Sequence, residues 1–142
     1  YTKAQQRQLY FVDSLGIPNG KAQVPPMLWL ASKSSLTVFA LASDRRPTEK
    51  MPLHYVPFFN IYEKGNVCMG TVSIDIKNSA SVEEFIQAWE DYFFNSYFSH
   101  SLCADLTRAN IINLWKDIIN TDKPFPTEVL KKNSKILKNI LQ

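Results

Sequence analysis

Cysteine is scarce: Cys68 and Cys103 are the two in 142 residues. They are too few for a disulfide scaffold and show neither Cys-x-x-Cys nor His/Cys metal spacing, so a reducing cytoplasm is the simplest compartment. Glycine is scarcer than proline, four against eight, and no tract repeats, which excludes a collagen-like or fibrous chain. No apolar run approaches the roughly 18 residues that a membrane helix needs, so no membrane partner is expected. An initiator Met is missing too. The chain starts at Tyr1 without a basic segment and apolar signal core, and it reads as a piece cut from a longer protein. The net charge is only +3, with basic ends around an acidic middle, too modest to predict nucleic acid. What remains is 45% hydrophobic and 13% aromatic, enough for one real core. One domain over residues 1–142 is the expectation.

Polar helix formers followed by Leu9, Phe11, Val12 and Leu15, stopped by Gly16 and Pro18, predict a first helix over residues 2–15. The runs 27–31 and 36–41 flank the turn Ser32-Lys33-Ser34-Ser35 and predict a β-hairpin. Residues 52–70 carry no helical period and read as extended chain and loop, with a turn at Glu63-Lys64-Gly65-Asn66. Ser81-Val82-Glu83-Glu84 is a capping box. It opens a helix running to about Phe98, whose apolar stripe is Val82, Phe85, Ile86, Trp89 and Phe93. A third helix is marked by Ile111, Ile112, Trp115, Ile118 and Ile119, with Thr107 as cap. A fourth follows Pro126-Thr127, its stripe formed by Val129, Leu130, Ile136, Leu137, Ile140 and Leu141, with Lys131, Lys132, Lys135 and Lys138 toward water. The order is α+β: an N-terminal helix, a short antiparallel meander, a long irregular segment and C-terminal helices.

Most polar residues take an ordinary structural role in this reading. The pairs Glu83-Glu84 and Glu90-Asp91 form the outer face of a helix, because adjacent helical residues diverge. Arg45-Arg46 and the C-terminal lysines are solvated faces, and His54 is a surface or hydrogen-bonded residue. Cys103, between Leu102 and Ala104, is a buried or bystander thiol. Cys68 differs. It lies just past a glycine turn, with the Asn60 amide eight residues upstream, close enough to fold back over the sulfur. A thiol acting on an acyl group needs an accessible sulfur and a donor where the carbonyl oxygen becomes negative. Asn60 can be that donor.

Asn60-Ile61, Gly65 and Val67-Cys68-Met69 resemble the active-site pattern of ubiquitin-conjugating enzymes, with the same step from Asn to Cys. More specifically, VPPMLWLAS, LTVFALASDRRPTEKMPLHYVPFFNIYEKGNVCMG and WEDYFFNSYFSH resemble the bacterial PRTRC system protein B family, also described as prokaryotic ubiquitin-conjugating family D. The likeness covers roughly residues 24–130. Where the larger family carries His-Pro-Asn, this chain has Phe58-Phe59-Asn60, with the nearest proline, Pro57, two positions upstream of where that pattern puts it. In that family the His is mainly a structural brace, so its loss bears on local geometry more than on nucleophilicity.

The resemblance implies a ubiquitin-conjugating-like fold in which Cys68 takes the C-terminus of a ubiquitin-like protein as a thioester. The donor would be an adenylating, ThiF-like activating enzyme, and the acyl group would pass to an amine. Asn60 would stabilise the oxyanion, and His100 or Asp105 would orient or desolvate the incoming lysine. His100 suits proton transfer by its intrinsic pKa. It could equally be a cation satisfying the last-turn carbonyls of the preceding helix. A JAB-type deconjugating protease of the same system is a further implied partner. No metal or organic cofactor is implied, since the nucleotide chemistry belongs to the activating enzyme. The alternative is a non-catalytic scaffold of the same fold that binds a ubiquitin-like protein or its activating enzyme.

Overall fold

A computed structural model describes residues 1–103 and 106–141. Leu9 and Phe11 point inward two residues apart, and that period belongs to a strand. Instead of the helix expected over 2–15, the chain forms β1 (Gln5–Phe11), and only Asp13–Leu15 turn, as a short 3-10 helix. The pull is tertiary. β1 pairs antiparallel with β2 (Gly20–Val24), a strand for which the sequence offers no expectation, which buries Gly20, Ala22 and Val24 on the same period. Helix-forming glutamines lose here to ladder hydrogen bonds and two buried strand faces.

The expected hairpin is present as β3 (Met27–Ala31) and β4 (Leu36–Ala40) in antiparallel register. β4 is buried on both faces. Leu36, Val38 and Ala40 join the main core, while Phe39 packs with Leu41, Leu53 and Leu137 in a smaller one behind it. β5 (Pro52–His54) extends this sheet within the segment read as irregular.

The capping box forms as expected, with Glu84 N–H donating to Ser81 Oγ and Ser81 N–H to the Glu84 carboxylate. It opens α1 (Val82–Phe94), which stops four residues before the expected Phe98. The chain then straightens into β6 (Tyr97–Phe98), parallel to β1, giving a three-stranded sheet β2-β1-β6. α1 buries Trp89, Phe93 and Phe94, whereas Val82 and Ile86 of the expected stripe are 70% and 51% exposed. Arg7 ties α1 to β1: it pairs with Glu90 and lies 4.7 Å from the Phe94 ring centroid.

α2 (Ile111–Ile118) is the expected third helix, capped by Asn110 and not by Thr107, which bridges to Leu130. The fourth expected helix does not form. Its residues make 3-10 turns at Thr127–Val129 and Leu137–Ile140 around β7 (Lys132–Ile136), which pairs with β5 to complete the order β3-β4-β5-β7. The apolar positions of that stretch fall in two clumps separated by Lys131–Lys135, and those polar residues satisfy the open side of β5. The C-terminal helices thus reduce to α2, one of two α-helices among the described residues.

His54, read as a surface or hydrogen-bonded residue, is buried at 7% exposure, with a hydrogen bond to the Ala40 backbone and Nδ1 left without a partner. Burial chiefly, with the positive charges of Lys132 and Arg108, lowers its pKa below the ordinary 6.5. The unfolded chain therefore takes up the proton first. This residue's contribution to stability is complete above the unfolded pKa and is lost as pH falls from there through the lower folded value. Urea midpoints at pH 7.5 and pH 5 check this: the wild type loses more stability on acidification than His54→Gln.

Candidate functional site

The site begins where two consecutive phenylalanines are both buried. Phe58 stacks on Phe98 and on Trp115, with ring centroids 5.1 and 5.0 Å away, and Trp115 Nε1 donates to the Pro57 carbonyl at 2.7 Å. Phe58 stands where the His of the His-Pro-Asn pattern was looked for, and it braces the segment by aromatic packing. Turning both rings inward bends the chain, and Asn60 follows with φ +61°. Asparagine is among the few residues that take the left-handed region at low cost.

A tight hairpin then leads to the thiol. Ile61 bridges Val67, Tyr62 N–H donates to Asn66 O at 2.9 Å, and Gly65 N–H closes the turn on Tyr62 O at 2.8 Å. Gly65 has φ +90°, and a Cβ there would lie 2.8 Å from the Val38 carbonyl oxygen, so glycine is required twice over. This approach lets Val38 N–H reach Gly65 O and Val67 N–H reach Leu36 O, both at 2.9 Å, docking the hairpin on β4.

Asn60 is the junction of the site. Its backbone carbonyl accepts from Cys68 N–H at 2.7 Å, and its N–H donates to His100 O at 2.9 Å. Its side chain clasps the segment after α1. Nδ2 donates to Tyr97 O at 2.9 Å, while Oδ1 accepts from Ser99 N–H at 3.1 Å, Ser99 Oγ at 2.8 Å and His100 N–H at 3.3 Å. Ser99 Oγ also lies 2.7 Å from His100 Nδ1.

Cys68, Asn60 and His100 line one cavity of about 380 Å³, with Phe59, Phe93 and Phe98 among its walls. The three residues singled out from sequence are therefore brought together. Asp105, the other candidate for the incoming amine, lies outside the described residues. Cys103 lines a separate pocket with Ser101, Thr107 and Asn110. Among the described residues no group of three His, Cys, Asp or Glu side chains could hold a metal ion, and no helix is long and apolar enough to cross a membrane.

Sequence reading missed two residues. Ser99 sits in a polar run with no spacing signal. Tyr62 was legible in principle, because pairing Ile61 with Val67 puts Asn60, Tyr62 and Cys68 on the opposite face, where diagonal neighbours lie within reach of an aromatic side chain. Interaction with the Cys68 sulfur, through its hydrogen-bonding capacity first and its charge second, holds the Tyr62 phenol above its ordinary pKa of 10.0. Removing the sulfur lowers that value: in ultraviolet titration, the phenolate signal lost on Tyr62→Phe appears at lower pH in Cys68→Ala than in the wild type.

The family model described as Prokaryotic E2 family D matches residues 1–133. No curated protein and no solved structure matches the chain.

Proposed function

Because the chain belongs to prokaryotic E2 family D, we propose that it is a conjugating enzyme in which Cys68 carries a ubiquitin-like protein as a thioester and delivers it to an amine. The observation that carries this reading is the meeting of Cys68, Asn60 and His100 on one cavity, with Asn60 bonded through its backbone to both of the others.

Loading is an exchange of thioesters. The Cys68 thiolate attacks the carbonyl carbon held by a ThiF-like activating enzyme, and the sulfur of that enzyme leaves as thiolate, so positioning supplies most of what the step needs. In delivery, the amine nitrogen bonds to the same carbon, the carbon–sulfur bond breaks and Cys68 departs as thiolate. A primary amide has two N–H groups, and the Asn60 amide commits one to Tyr97 O. The other is the donor for the oxyanion. His100 takes the proton that the attacking nitrogen sheds.

The test is incubation with the activating enzyme, its ubiquitin-like protein and Mg-ATP, followed by denaturing gels with and without reductant. A shifted band that disappears on reduction supports the reading. No shift while the activating enzyme itself is charged favours the non-catalytic scaffold.

A further inference from the structure

We infer that Ser99 is a positioning residue that holds the His100 imidazole as the Nδ1–H tautomer and so reserves Nε2 as the nitrogen that accepts a proton. The inference deepens the proposed reading of the site and rests on it for the identity of the proton donor, the incoming amine.

It follows from hydrogen-bond polarity alone. Ser99 N–H and His100 N–H both point at one end of the Asn60 amide, so that end is the oxygen. The other end meets the Tyr97 carbonyl, so it is the NH₂ group. The amide orientation is thereby fixed by backbone groups whose polarity is not in question. An amide oxygen only accepts, so the hydroxyl proton of Ser99 goes to Asn60 Oδ1, 2.8 Å away. A serine hydroxyl has one proton to give. The 2.7 Å contact between Ser99 Oγ and His100 Nδ1 therefore carries the ring's own proton, donated from Nδ1 to Oγ. With Nδ1 occupied, the lone pair of the neutral ring is on Nε2, and His100 is among the residues lining the cavity that holds Cys68. A proton accepted there makes an imidazolium whose Nδ1–H bond to Ser99 is unchanged, so the network need not rearrange during transfer.

Long-range nitrogen–proton NMR of the whole chain reads the tautomer directly, with the His100 signals assigned by their loss in His100→Gln. Above the imidazole pKa, His100 should show a pyrrole-type Nδ1 and a pyridine-type Nε2. Ser99→Ala should move it toward the Nε2–H form that free imidazole side chains favour, and Ser99→Thr, which keeps the hydroxyl, should restore Nδ1–H. In single-turnover discharge to free lysine, normalised to the loaded fraction, Ser99→Ala should slow transfer about tenfold or more. An Nε2–H ring in the wild type, or a Ser99→Ala spectrum like the wild type, overturns the inference. If the tautomer behaves as described but no thioester forms, the transfer reading fails while the assignment of Ser99 stands.

Discussion

Cys68→Ala is expected to abolish the proposed reducible adduct with a ubiquitin-like protein, and Cys103→Ala to leave it at the wild-type level. The asymmetry follows from where the two sulfurs lie. Cys68 is partly exposed on the cavity shared with Asn60 and His100, whereas Cys103 lines a different pocket. Replacing sulfur by oxygen sharpens the result. Cys68→Ser traps the acyl group as an oxyester, giving a band that persists in reductant and is cleared by mild alkali. Equal loss of the adduct in both alanine variants would instead mean that the thiols act jointly or that the fold has failed, and circular dichroism separates those outcomes.

Phe58→Ala destabilises the protein by about 3–5 kcal/mol, the usual cost of removing a fully buried aromatic ring. For a domain of this size that corresponds to a fall in Tm of about 10 °C or more. Phe58 is 0% exposed and packs on Phe93, Phe94, Phe98 and Trp115, so its loss opens a hole at the meeting point of both helices and β6. Asn60 is only two residues further on, so transfer should weaken along with stability. Thermal unfolding checks the first effect, and discharge measured well below the lowered Tm checks the second. Leu141→Ala is the control: that side chain is 63% exposed and should shift Tm little.

The helices and strands that could be read from sequence are those whose signals are local. The capping box at Ser81 and the paired apolar runs of β3 and β4 need no distant partner to be recognised. β1 and β7 were read as helices because glutamines and lysines favour helix locally, and only β2 and β5 reveal why those segments extend. The α1 stripe was legible at Trp89 and Phe93 but not at Val82 and Ile86, because the helix buries its second half and leaves its start in water. For the site, the step from Asn60 to Cys68 survives as a short hairpin. The contact with His100 came from family likeness, and the hydroxyl of Ser99 between Asn60 and His100 came only from the fold.

Asn60 and His100 are 40 residues apart in the chain, and Asn60 also pairs with Cys68 across its own short turn. The hairpin can close early, as a local event, but the cavity waits for α1 to fold and for the following segment to return past Asn60. During synthesis the thiol consequently emerges from the ribosome before the residues that complete its surroundings. Assembly of the cavity is thus linked to closure of the fold, and a truncated or half-folded chain holds the cysteine without the His100 side of it.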